Sequence, residues 1–105
     1  MHKMENDTIV ALATPQGIGA IGVIRLSGPD SISIISSVFS KNLINQLSHT
    51  AYFGRIKDKE RIIDEVLVTL FKEGKSYTGE EVVEVSCHGS QYILQDVIRL
   101  FTEKG

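Results

Sequence analysis

The sequence predicts an α+β domain with two main helices and a mixed or largely antiparallel sheet, in the order β-β-α-β-β-β-α. Three observations carry this. Five short runs rich in β-branched residues are separated by turn chemistry. Two stretches repeat their apolar residues at helical spacing. The strands also come as a pair and a triplet, not in single alternation with helices as a doubly wound sheet requires.

Thr8 to Thr14 (TIVALAT) is apolar on both faces, as expected of a central strand. Pro15 to Gly19 (PQGIG) is a turn, and Ala20 to Ser27 (AIGVIRLS) a second strand. Gly28-Pro29-Asp30 breaks that strand and offers a helix start. Ile32, Ile35 and Phe39, with Ile34 and Val38 alongside, then form one apolar helix face. His49 to Lys57 reads as a strand, Asp58 to Arg61 (DKER) as a turn and Val66 to Phe71 (VLVTLF) as a strong strand. After the polar loop KEGKSYTGE, Glu81 to Cys87 (EVVEVSC) is the fifth strand. His88-Gly89 closes it, Ser90 suits an N-cap, and Gln91 to Glu103 is a helix expected to turn Tyr92, Ile93, Val97, Leu100 and Phe101 inward.

Length and composition bound the function. At 105 residues the chain is one small domain or a piece of one; a chain of this size buries about two-thirds of its unfolded surface. Residues 1–57 carry five Lys/Arg against three Asp/Glu, and residues 58–105 carry six against ten. Neither half has the basic surplus of an autonomous nucleic-acid binder. Cys87 is the only cysteine, which excludes an intrachain disulfide and favours a reducing, cytoplasmic setting. The start, MHKMENDTIVAL, has no apolar signal-peptide core, and no apolar run approaches membrane-spanning length. His2, His49 and His88 lack metal-ligand spacing, so no metal is expected.

Gly17 to Gly22 (GIGAIG) matches the dinucleotide fingerprint G-x-G-x-x-G letter for letter. A true fingerprint opens a helix whose N-terminus holds the pyrophosphate. Here a strand-former, VIRLS, follows Gly22 at once, and no acidic residue lies between Asp30 and Asp58 to hold a ribose. The glycines are expected to turn the chain, with Gly22 allowing close backbone approach. No Gly-Lys-Ser/Thr occurs, so this chain alone is not expected to hydrolyse GTP or ATP, and no catalytic residue is assigned to it.

Two charges interrupt apolar strands. Arg25 lies in GVIRLSG on the face of Ile21 and Val23; Glu84 lies in VVEVS on the face of Val82 and Ser86. They can be edge residues pointing at water, a structural ion pair, or the lining of a half-apolar pocket. In a pocket, a carboxylate on a rigid strand accepts two parallel hydrogen bonds from an amidine-like edge such as that of a pterin. An arginine grips a carboxylate or carbonyl of the same ligand with its planar fork.

DTIVALATPQGIGAIGVIRLSG and SYTGEEVVEVSCHGS, in this order and spacing, closely resemble the N-terminal domain of the MnmE (TrmE) family of bacterial tRNA-modification GTPases. The resemblance covers essentially the whole chain as one domain, 1–105, and implies a fold like the folate-binding part of aminomethyltransferases. It implies binding of 5-formyl- or 5,10-methylene-tetrahydrofolate, with Arg25 and Glu84 as folate contacts, and homodimerisation through this domain. For the whole family protein it implies a helical domain and a GTPase domain using GTP, magnesium and potassium. With an MnmG-type flavoprotein, such a protein forms 5-(carboxymethyl)aminomethyluridine at the tRNA wobble position in the cytoplasm. A module that only oligomerises is the alternative.

The sequence departs from the family pattern at Ser90, where a second glycine is usual, and at Glu81, where an aspartate is. The family's Arg-Pro-Gly-Glu-Phe stretch, which contributes to the folate pocket, would follow Gly105. The site within 1–105 is therefore expected to be incomplete and to bind folate weakly. Thr78 to Glu81 can order a ligand-covering loop, or be turn chemistry with two solvated carboxylates. Cys87 is expected to be a small buried hydrophobe, and His88 to be positional, hydrogen-bonding a loop.

Overall fold

A computed structural model of the chain describes residues 8–13, 21–72 and 81–105. The elements are β1 (Ile9–Leu12), β2 (Ile21–Ser27), α1 (Ser31–Val38), β3 (Ala51–Asp58), β4 (Arg61–Phe71), β5 (Val82–His88) and α2 (Gln91–Lys104). The expected α+β order holds. The sheet is wholly antiparallel, with strands ordered β1-β2-β5-β4-β3.

Strand alternation sorts the side chains into two faces. Gly22, Ile24 and Leu26 of β2, Val83, Val85 and Cys87 of β5, Val66, Val68 and Leu70 of β4, and Gly54 and Ile56 of β3 point inward. Against them pack Ile32, Ile35 and Val38 of α1 with Val97, Leu100 and Phe101 of α2, which closes one apolar core. Each such side chain removed from water contributes about 1.5–3 kcal/mol. Two glycines permit the close approach. A Cβ on Gly22 would stand 2.7 Å from both δ-methyls of Leu94 in α2, and one on Gly54 2.6 Å from the Phe39 ring just after α1. Gly22, the last glycine of the fingerprint-like hexamer, thus sits in a strand under a helix. That arrangement rules out a helix starting there for a pyrophosphate; the rest of the hexamer, Gly17 to Ala20, lies outside the described residues.

Three expectations need correction. The first strand is an edge, not a central strand. Its double-sided apolarity arises because Val10 and Leu12 pack on the core while Ala11 faces the row occupied by Arg25. Tyr92 is 88% exposed. It lies four, seven and eleven residues before Asp96, Arg99 and Glu103, on the polar side of α2, whereas Val97, Leu100 and Phe101 form the inward stripe. The fourth strand begins at Arg61, five residues earlier than its apolar run, because Asp58 pairs with Arg61 in a tight hairpin whose Lys59 takes φ 57°. Ser90 does stand at the N-cap of α2, in extended backbone, without a capping side-chain hydrogen bond.

Among the described residues, no helix is long and apolar enough to cross a membrane.

Candidate ligand-binding face of the sheet

Both helices occupy one face, and the other is formed by the remaining residues of each strand. Ladder registers define its rows. Ala11, Arg25, Glu84, Thr69 and Ala51 stand side by side across all five strands. The next row is Val23, Ser86, Leu67 and Phe53. On the other side lie Ser27, Val82 and Phe71. Several apolar members are open to solvent: Ile21 at 63%, Phe53 at 56% and Leu67 at 46%. The face therefore sets a charged pair among hydroxyl side chains (Thr69, Ser86 and Ser27) and apolar ones, several of them open to solvent.

Arg25 and Glu84 are that charged pair. They are direct cross-strand partners on β2 and β5, two interior strands, so neither is an edge charge. Arg25 donates to Glu84 Oε2 from Nη2 at 2.6 Å and from Nε at 3.1 Å. Both bonds fall on one carboxylate oxygen. Among the described residues no hydrogen bond reaches Glu84 Oε1 or leaves Arg25 Nη1. The side chains are 48% and 31% exposed, so the pair adds at most about 1 kcal/mol to stability. Its chemical potential lies in the open carboxylate oxygen and the open guanidinium edge, both held on rigid strands.

At the far end of β5 the neighbouring residues Cys87 and His88 point apart, as alternation requires. Cys87 is buried, with Sγ 3.8 Å from the Val85 carbonyl oxygen. Desolvation, with a smaller contribution from the Asp64 charge, pushes its thiol pKa up to about 12, which leaves it protonated and unreactive. His88 bonds strand β4 instead of a loop. Its backbone N–H donates to Asp64 Oδ2 at 2.8 Å, and its Nδ1 lies 2.6 Å from Asp64 Oδ1. Asp64 was not singled out from sequence. A signal existed: in RIIDEVLVTL it shares the inward parity of Val66, Val68 and Leu70, where an unpartnered carboxylate is not tolerated.

Of the segment Thr78 to Glu81, only Glu81 belongs to the described residues; its carbonyl accepts the Gly28 N–H at 3.0 Å. A ligand-covering loop or turn there lies outside the described residues.

The fold and site define an antiparallel α+β domain that carries its charged pair on the sheet face opposite α1 and α2. Residues 8–105 match the family described as GTP-binding protein TrmE N-terminus, and the chain belongs to that family. It is 60% identical over 100 residues to a protein of Cytophaga hutchinsonii, covering 94% of this chain and 22% of that protein. It is 55% identical over 103 residues to one of Christiangramia forsetii, covering 94% and 22%. A protein of Bdellovibrio bacteriovorus is 47% identical over 103 residues, covering 96% and 22%. Each of these relatives is named tRNA modification GTPase MnmE. The chain thus spans 22% of the length of these relatives.

Proposed function

We propose that this chain is the tetrahydrofolate-binding and dimer-forming N-terminal part of a cytoplasmic tRNA-modification GTPase. The observation that carries the proposal is the Arg25–Glu84 pair in the centre of this sheet face, with a carboxylate oxygen and a guanidinium edge that no hydrogen bond among the described residues occupies. Glu84 accepts the N–H and amino group along the pterin edge, and Arg25 holds a carbonyl or carboxylate of the same ligand. Val23, Val82 and Leu67 lie near the pair on the same face and supply apolar contact, and Thr69 and Ser86 add hydroxyls. The bound species is 5-formyl- or 5,10-methylene-tetrahydrofolate, the one-carbon donor. In the whole protein GTP, magnesium and potassium act in a separate GTPase domain. With an MnmG-type flavoprotein it builds 5-(carboxymethyl)aminomethyluridine at the wobble position of tRNA.

A second reading has its own support. Ile21, Phe53 and Leu67 leave apolar surface open on the same face, which also suits a module that only oligomerises. Sedimentation gives a dimer under both readings, so ligand binding separates them. The test is calorimetric titration of 5-formyltetrahydrofolate into the protein at the full length its gene encodes. Saturable binding at one site per chain supports the folate reading. A dimer with no heat of binding leaves the oligomerisation module.

A further inference from the structure

Among the described residues Asp64 and Ser31 are the two buried polar side chains, and Asp64 spends both carboxylate oxygens on one neighbour. The β4–β5 ladder ends at Leu67 and Ser86. Beyond that rung the Asp64 carboxylate stands in for a strand carbonyl, taking the His88 N–H on Oδ2 and the imidazole on Oδ1. An ionised carboxylate only accepts hydrogen bonds, so in the neutral ring Nδ1 carries the hydrogen. The lone pair is therefore on Nε2. The His88 side chain is 68% exposed while that of Asp64 is 5% exposed. A buried carboxylate thus orients an imidazole and fixes its tautomer, with the accepting nitrogen turned away from the core.

The position of this imidazole gives the arrangement its use. His88 has the strand parity of Glu84 and pairs with Ile21, whose side chain is open to solvent. It lies four residues beyond Glu84 on β5, roughly 14 Å along a strand rising about 3.4 Å per residue. A ligand anchored at Glu84 reaches it only if it is long and extended. A reduced folate has that form: a flat pterin, then an aminobenzoyl arm ending in glutamate, with N–H donors along the arm.

We infer that His88 is a ligand contact that accepts a hydrogen bond on Nε2 from an N–H of the aminobenzoyl-glutamate arm, and that Asp64 is the positioning residue that presents it. This rests on the folate reading and adds a second anchor to it. The arm lies along β5 from the Glu84 row towards the β5–α2 junction, and Ile21 supplies an apolar flank beside it.

The test uses the protein at its full encoded length and two probes: 5-formyltetrahydrofolate, and 6-methyltetrahydropterin, which lacks the arm. His88→Asn keeps an amide near the Nδ1 position, and so the bond to Asp64, but removes the outward acceptor. It should weaken folate binding by about tenfold, the loss of one well-placed hydrogen bond, and leave pterin binding and the unfolding midpoint unchanged. His88→Gln, whose amide oxygen reaches the Nε2 position, should recover part of the loss. Nitrogen-15 NMR of the imidazole should show the Nδ1–H tautomer in the parent and its decline in Asp64→Asn. Equal folate affinity for His88→Asn and parent, equal weakening with both probes, or an Nε2–H tautomer in the parent overturns the inference. A parent that binds neither probe overturns the folate reading itself, and is recognised before any variant is measured.

Discussion

Replacing Gly22 with alanine tests how α2 is seated on the sheet. The added Cβ would stand 2.7 Å from Leu94 Cδ1 and Cδ2 and 3.2 Å from Cγ. Apolar carbons rest at about 3.5–4.0 Å, so the leucine must retreat by roughly 1 Å. Its methyls are the mobile end of a side chain that is only partly buried, so rotation relieves the clash at about 0.5–1.5 kcal/mol of rotamer strain plus some lost packing. Against this, alanine in a strand recovers about 0.5–1 kcal/mol of backbone entropy relative to glycine. The net expectation is a destabilisation of about 0.5–1 kcal/mol, a fall in Tm of about 2–8 °C for a domain of this size. With Leu94→Ala already present the clash is gone, the entropy gain stands alone, and Gly22→Ala should stabilise by about 0.5 kcal/mol. A double-mutant cycle in urea, followed by far-ultraviolet circular dichroism, reads the difference as a coupling of about 1 kcal/mol. If Gly22→Ala has the same sign and size in both backgrounds, Leu94 does not rest on Gly22 and the close-packing account of that glycine is wrong.

Two further expectations follow from the electrostatics. Asp96 of α2 accepts hydrogen bonds from Arg61 and Arg99, which hold its carboxyl below the usual aspartate range. Arg99 also reaches Asp58 at 3.0 Å, so the group ties α2 to the β3–β4 hairpin. Because the folded value is the lower one, this stabilisation is present above the ordinary aspartate range and is lost as pH falls through the depressed folded value. With both guanidinium side chains 41–57% exposed, Asp96→Asn should cost less than about 1 kcal/mol at neutral pH. The difference from the parent in urea midpoint should shrink near pH 3 and in high salt; a difference indifferent to both contradicts the assignment. Cys87, with its pKa raised to about 12 by burial and the Asp64 charge, should react with Ellman's reagent at pH 8 only as fast as the domain unfolds. Because the folded value is the higher one, the stabilisation is present below the unfolded thiol's pKa and declines as pH rises towards 12. Rapid labelling of the native protein would refute the burial.

The fold was largely legible because period-2 and period-3.6 patterns are local. GVIRLSG and VVEVS announced their alternation, and the parity of Arg25 and Glu84 followed from it. Pairing partners are not local, so nothing in TIVALAT distinguished an edge strand with one face on the core from a central strand. The start of β4 escaped because RIID lacks a continuous apolar run; hairpin register carries that segment, not burial. Tyr92 misled because an aromatic residue in the first helical turn reads as core until its alignment with Asp96, Arg99 and Glu103 is checked. Asp64 differs: its inward parity in RIIDEVLVTL signals a buried carboxylate, but the partner that satisfies it lies 24 residues away and is not local. The central pair was visible as two anomalies, and only the register showed that they face each other.

The most direct measurement is the affinity of the full-length Glu84→Gln protein for 5-formyltetrahydrofolate, by calorimetry beside the parent. The fold should tolerate this change, because the Arg25–Glu84 pair is half-open to water and contributes little to stability. Removing the carboxylate's charge-assisted bonds to the ligand should lower affinity by about ten- to a hundredfold, with the unfolding midpoint nearly unmoved. A Glu84→Gln protein that binds folate as tightly as the parent would contradict the placement of the ligand on this face.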